Sequence, residues 1–301
     1  MHTKTPPVLA LDVGGTKLAG GILTADDTLQ QRAEVLTLAQ EGSAEAILGR
    51  LIGLARDVIA AAPERPRAVG VASAGQIDPR QGDVVFATDN LPGWTGLALG
   101  RRLAEALDLP VFVENDVNAF ALAEAQLGAG RGYRHQVLLA VGTGVGGGIV
   151  VDGKMYSGSM GRGGEIGHLC IVPGGRPCTC GQIGCLESYA GMRVMLPASG
   201  YASLRALADD YLAGKSIPAV DDAAHWLGHG LAQAAHVLGP EVLLVGGSIG
   251  LLGERYLDDV RRSYTVAAIK SYRNIPILPT QLGADSGLLG AGVYARQRIG
   301  H

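Results

Sequence analysis

Three thiols and an imidazole stand close together in this chain. The run reads Glu165-Ile166-Gly167-His168, nine residues, Cys178-Thr179-Cys180, four residues, then Cys185-Leu186-Glu187. Three thiolates and one imidazole complete a tetrahedral Zn²⁺ site, and a closed site of that kind is structural. The competing reading is buried cysteines without metal. Cys170 falls outside the ligand set and reads as a packed apolar residue. Glu165 and His168 are three apart and share a face on a helical turn. If one nitrogen of His168 takes zinc, its other N–H is left to donate elsewhere. The loop can then position substrate-binding groups, with Glu187 just beyond it.

Glycine turns supply a second kind of chemistry. Asp12-Val13-Gly14-Gly15-Thr16-Lys17 offers successive backbone N–H groups, a hydroxyl and a cation, a set suited to phosphate. Asp12 at the strand end is placed to hold Mg²⁺ through water. Gly142-Thr143-Gly144-Val145-Gly146-Gly147 is a second such turn within Gly142–Gly148, and Gly246-Gly247-Ser248 a third. Each alone reads equally well as a plain tight turn; together they point to nucleotide binding. The second formally contains G-x-G-x-x-G, but strand-like Ile149-Val150-Val151 follows where a dinucleotide fold needs a helix. Gly214-Lys215-Ser216 imitates the end of a P-loop, yet Asp209 occupies the required earlier glycine position.

Val111-Phe112-Val113-Glu114-Asn115-Asp116 is a strand ending in polar residues before a helix. Asn-Asp there reads first as a helix cap. A carboxylate in that place also suits a general base for a hydroxyl nucleophile, which phosphoryl transfer requires.

These groups must be carried by regular elements. Val8–Val13 and Leu18–Leu23 read as strands of a hairpin, and 44–62 as a helix with Ile47, Leu51, Leu54, Val58 and Ile59 on one face. Strands follow at 68–72, 111–113, 136–141, 149–151 and 242–245, and helices at 94–107, 118–127, 204–212, 223–238 and roughly 287–298. Alternating strands and helices make an α/β protein. A strand running into a glycine turn recurs, and the first two turns each lead into another strand. That weak repeat suggests two related halves with a cleft between them.

Composition narrows the class. Of 301 residues, 47% are hydrophobic and 18% charged, which marks a folded chain. The net charge of −3 creates no field favouring nucleic acid or an anionic membrane. Glycine reaches 46, about twice the usual share. No apolar run approaches the ~18 residues of a membrane span. Asp12 interrupts the first apolar stretch and no signal-peptide cleavage pattern follows. All four cysteines lie between 170 and 185, the pattern of a metal site in a cytoplasmic protein rather than a disulfide framework.

Taken together, the motifs resemble those of the ROK family of sugar kinases, over nearly the whole chain. Asp12–Lys17 resembles the family's D-x-G-G-T-K phosphate motif, Gly142–Gly148 its second phosphate turn and Gly246–Ser248 its adenosine-side turn. The Glu165-x-x-His168 and cysteine segment resembles its zinc and sugar signature. By that resemblance Gly75, Asn90, Asn115, Asp116, Glu165, His168 and Glu187 bind sugar, with Asp116 as catalytic base. Asp12, Gly14, Gly15, Thr16, Lys17, Gly142, Thr143, Gly144, Gly146, Gly147, Gly246, Gly247 and Ser248 bind ATP. His168, Cys178, Cys180 and Cys185 hold zinc, and Asp12 serves Mg²⁺. Asn90 stands in Asp89-Asn90-Leu91-Pro92-Gly93-Trp94, whereas Ser73-Ala74-Gly75-Gln76 departs from the family's Pro-containing sugar loop.

The resemblance further implies a two-domain actin- and hexokinase-like (ribonuclease H-like) fold. It places one domain at 1–115, rejoined by the helix 287–301, and a larger one at 116–286 with the zinc loop 165–187. The implied activity is ATP-dependent phosphorylation of a hexose, glucose at its 6-hydroxyl. N-acetylmannosamine or N-acetylglucosamine is the alternative sugar, and a homodimer is the expected assembly. The family also contains sugar-responsive repressors with an N-terminal helix-turn-helix domain. Only seven residues precede the first strand, so that class is not expected.

Overall fold

The computed structural model describes residues 6–40, 42–88 and 90–300; Asp89 of the Asn90 motif lies outside them. The chain divides into two compact units, Met1–Leu127 with Met155–Gly163 and Ala284–His301, and Gly128–Lys154 with Gly164–Gly283. The expected boundary at 115 thus falls after Leu127, and the segment 155–163 leaves the expected 116–286 domain for the first unit. The physical reason is packing. The helix that begins at Asp116 lies against the C-terminal helix, which belongs to the first unit.

The first unit runs β1 (Val8–Val13), β2 (Lys17–Leu23), β3 (Leu29–Leu36), α1 (Ala44–Ala61), β4 (Val69–Ser73), β5 (Gln76–Asp78), β6 (Asp83–Phe86), α2 (Leu99–Leu107), β7 (Val111–Asn115) and α3 (Asp116–Leu127). Its five-stranded sheet has the order β3-β2-β1-β4-β7. The pairs β1–β2 and β2–β3 are antiparallel, and β1–β4 and β4–β7 parallel. Strand alternation sends Leu9, Leu11 and Val13 into a core with Ile47 and Leu51 of α1 and Leu103 of α2. On the other face Ala10 and Ala72 meet Ala119 and Ala291, small residues that admit helices close to the sheet.

The second unit follows with β8 (Gln136–Val141), β9 (Val145–Val151), β10 (Lys154–Met155), α4 (Glu187–Ala190), α5 (Met192–Ser199), α6 (Leu204–Leu212), α7 (Pro218–Leu238), β11 (Val242–Gly246), α8 (Gly253–Ala267) and β12 (Ile277–Pro279). Its sheet repeats the first in order, β10-β9-β8-β11-β12, with β8–β9 antiparallel and β8, β11 and β12 parallel. The recurring strand-and-glycine-turn pattern therefore marks two sheets of one topology. The last helix, α9 (Ser286–Ile299), returns the chain to the first unit. No helix among the described residues is long and apolar enough to cross a membrane.

Several expected elements change extent; the helix expected at 223–238 begins at Pro218, and that expected at 118–127 at Asp116. The helix expected from Trp94 starts only at Leu99, because Gly96 has φ +83° and breaks the helical run. Trp94 is buried instead, its indole N–H donating to Ser73 Oγ at 3.1 Å. The second glycine turn is shorter than expected. Only Gly142-Thr143-Gly144 forms it, since β9 begins at Val145 and contains Gly146, Gly147 and Gly148.

Candidate active site

The tight turn between β1 and β2 is closed by Gly14 N donating to Lys17 O at 3.1 Å. Thr37 Oγ1 donates to Gly14 O at 2.7 Å and Thr37 N to Thr16 O at 2.9 Å, so the β3 end braces the turn. A cavity of about 470 Å³ opens beside it, lined by Asp12, Gly14–Lys17, Arg32, Glu34 and the start of α9. Lys17 Nζ pairs with Glu34 at 3.0 Å, and Arg32 with Glu34 and Asp285 at 2.7 Å each. Arg32, Glu34 and Thr37 are site residues that the sequence reading missed; β3 was not recognised as a strand.

Asp12 is half-buried near the end of β1, where Gly287 of α9 approaches so closely that a Cβ there would lie 2.6 Å from Asp12 Oδ2. Burial, and then the neighbouring Asp116 carboxylate, push the Asp12 carboxyl up from 3.8 to about 7. A carboxylate so disfavoured is a fit place for a cation, whose charge would offset both costs.

Asn115 and Asp116 divide the tasks that the sequence left open. Asn115 Oδ1 accepts from Val117 N at 2.9 Å and Asn118 N at 3.0 Å, so Asn115 is the cap of α3. Its Nδ2 donates to Gly75 O at 2.8 Å and Asp116 Oδ1 at 3.0 Å, bringing the Gly75 loop into the cluster. Asp116 Oδ1 also accepts from Val117 N at 2.9 Å. Burial raises the Asp116 carboxyl from 3.8 to about 6 against those lowering hydrogen bonds. Asn90 is exposed, its backbone 3.3 Å from where a Cβ on Gly15 would stand. The structure therefore gathers Asp12, Gly75, Asn115 and Asp116, with Asn90 beside the phosphate turn.

In the second unit the ligand atoms of His168, Cys178, Cys180 and Cys185 all lie within 4.8 Å of one another. Cys178 Sγ is 3.7 Å from His168 Nδ1, and Cys180 Sγ 3.7 Å from Cys185 Sγ. Those separations match the edge of a tetrahedron with Zn–S bonds of about 2.3 Å. Burial pushes the Cys185 thiol up to about 12, with Cys180 and Cys178 adding to the shift. Three thiolates at this spacing need a cation among them, so the donor set fits zinc. His168 Nε2 faces Glu165 Oε2 at 3.9 Å, on the side away from the thiols. Cys170 corrects an expectation, being exposed rather than packed. Of the four cysteines only Cys185 is buried.

Glu187 links this loop to the second glycine turn. Its Oε2 accepts from Val145 N at 3.0 Å and its Oε1 from Thr179 Oγ1 at 3.2 Å. Gly144 is required there, since a Cβ would stand 2.1 Å from Glu187 Oε2. The third turn abuts the second: Ser248 Oγ donates to Val141 O at 3.2 Å. Both turns follow the parallel neighbours β8 and β11, so they lie at the same sheet edge.

A profile described as "ROK family" matches residues 8–298. The glucokinase of Thermotoga maritima is 32% identical over 97% of this chain and 98% of its own length. An N-acetylmannosamine kinase of Escherichia coli is 33% identical over 96% and 98%. A ROK family glucokinase from Streptomyces griseus, solved in complex with glucose and AMPPNP, aligns at a TM-score of 0.82. It is 30% identical, over 97% of this chain and 99% of that one. The chain thus has the α/β, actin-like fold of that group, and it belongs to the ROK family, among that family's sugar kinases.

Proposed function

We propose that the chain transfers the γ-phosphoryl group of ATP to a hexose, glucose at its 6-hydroxyl. The observation that carries this is Asp116, a half-buried carboxylate whose pKa of about 6 suits a base working near neutrality. It follows the capping Asn115 and shares its unit with Asp12 and the first phosphate turn. Asp116 accepts the proton of the hydroxyl as that oxygen attacks the γ-phosphorus. The N–H groups at Gly14–Lys17 and Gly142–Gly144 receive phosphate oxygens, and Gly246–Ser248 the adenosine side. Gly146 and Gly147, being in β9, support the second turn rather than forming it. Gly75, Asn90, Asn115, Glu165, His168 and Glu187 hold the remaining hydroxyls and so place the nucleophile.

Mg²⁺, held by Asp12 through water, would neutralise phosphate charge. Zinc on His168 Nδ1, Cys178, Cys180 and Cys185 would fix the loop that presents Glu165 and Glu187. The reading also carries a homodimer and a cytoplasmic location. The N-acetylmannosamine kinase relative supports a second reading, in which the sugar is an N-acetylhexosamine. ADP release from MgATP is the test, with glucose, N-acetylmannosamine, N-acetylglucosamine, fructose and mannose as acceptors. A preference for glucose is expected. Preference for an N-acetylhexosamine would favour the second reading, and turnover with none by zinc-loaded protein would overturn both.

A further inference from the structure

Glu114 is a buried carboxylate that the proposed chemistry does not use, 1% exposed directly behind the Asn115-Asp116 turn. Three donors converge on it. Asn115 N and Asn118 Nδ2 each donate to Oε1 at 2.9 Å, and Ser157 Oγ donates to Oε2 at 2.6 Å. The first two come from the turn and the first helical turn of α3. The third comes from a different stretch of chain, Met155–Gly163, which leaves the second unit's sequence, packs in the first unit, and goes back at Gly164.

That stretch has a second seat on the same unit. Gly161 lies so close to β5 that a Cβ there would stand 1.9 Å from Ile77 O. The stretch is closed on itself by Gly163 N donating to Ser157 O at 2.8 Å. Ser157 is therefore the point at which this strap grips β7, one residue before the sugar-binding Asn115. An apolar side chain would fill the position of Glu114 without the cost of burying a carboxylate. What an apolar side chain could not do is hold the turn and the strap with one rigid group.

We propose that Glu114 is a positioning residue that, through Ser157, couples the strap Met155–Gly163 to the orientation of Asn115 and Asp116. This rests on the reading of Asp116 as the base. Asn115 transmits the coupling: its N–H is held by Glu114 and its Nδ2 by Asp116 Oδ1. Because the strap is chain that enters from the second unit's sequence and returns to it, its seating bears on the base through Glu114.

Ser157→Ala cuts only the strap bond, and Glu114→Gln keeps the shape while weakening the acceptor. Each is expected to lower kcat tenfold or more with glucose and MgATP, with both KM values within twofold and the thermal midpoint nearly unchanged. Ser157→Ala placed on Glu114→Gln should add less than twofold, because both cut one link. Amide exchange at Asn115, Val117 and Asn118 should quicken tenfold in both variants while that of β8 and β9 stays constant. Unchanged kcat and exchange would overturn the proposal. So would losses that multiply independently, or that appear only together with a fall in thermal midpoint. No turnover by the wild-type chain would count against the kinase reading alone, since the exchange measurement needs no substrate.

Discussion

Asp116→Asn separates a base from a structural acceptor, because the amide keeps the acceptor oxygen and loses the charge that a base needs. The amide retains Oδ1, so it still accepts from Val117 N and Asn115 Nδ2. What it loses is a charge. The folded-state pKa of about 6 lies above the ordinary 3.8, so the folded chain holds that proton more tightly than the unfolded one. Its contribution to stability is complete below pH ~4 and is lost as pH rises through about 6. At pH 7 the ionised side chain costs about 1–3 kcal/mol, the lower figure allowing for solvent at a half-buried group. Asp116→Asn should therefore raise the thermal midpoint at pH 7 and change it little at pH 4. Activity should move the other way. A positioned base contributes about 10²–10⁴-fold, so kcat should fall by that factor with the sugar's Kd within a few-fold. In the wild type Asp116 is mostly ionised at pH 7, and kcat should decline as pH falls through about 6. Calorimetric melts, sugar titration and a coupled ADP assay read all three. Turnover within tenfold of wild type refutes the base. A lower midpoint together with lost sugar binding refutes the energetics and returns Asp116 to a structural role.

Asp12→Asn should likewise stabilise the chain above pH 7, where a carboxyl raised to about 7 is ionised. It should weaken MgATP at least tenfold in titration calorimetry while leaving sugar binding intact; unaltered MgATP binding would remove Asp12 from the nucleotide site. Chelation under reducing conditions should release one zinc per chain, expose three further thiols to titration and lower the thermal midpoint. A chain purified free of metal and unmoved by added zinc would contradict that centre. Gly290→Ala places a Cβ 1.9 Å from Ala119 O, so α9 and α3 must separate. Urea unfolding should show a loss of about 3 kcal/mol, with kcat falling too because α3 begins at Asp116; a neutral change would refute that packing.

Legibility in the sequence followed how local each feature's cause is. The phosphate turns and the thiol cluster are fixed by residues adjacent in the chain, and the structure brings His168 and three of the cysteines together as their spacing implied. The strand β3 escaped notice because it is a polar edge strand, with Gln30, Gln31, Arg32 and Glu34 giving no apolar alternation. With it went Arg32, Glu34 and Thr37. The helix α8 was missed as well, although its pattern is there: Tyr256, Val260 and Tyr264 recur at i, i+4 and i+8 and are all buried. The boundary near 115 was misplaced for a different reason. Strand β7 and helix α3 are consecutive, but what assigns α3 to a unit is contact with a helix more than a hundred residues later.

Glu114 lies at the far end of that scale. Its neighbours Val113 and Asn115 suggest only a strand ending, and nothing local distinguishes a buried carboxylate from a solvated one. Its role requires Ser157, on a strap whose course is decided by two sheets of the same topology being built from interleaved chain. Residues that touch phosphate or sugar must present particular atoms, and so leave motifs. Residues that aim them need only reach the right place after folding, and so leave almost none. A short motif such as Asn115-Asp116 is therefore only the visible end of a longer arrangement. The Glu114 and Ser157 variants test whether that arrangement sets the rate.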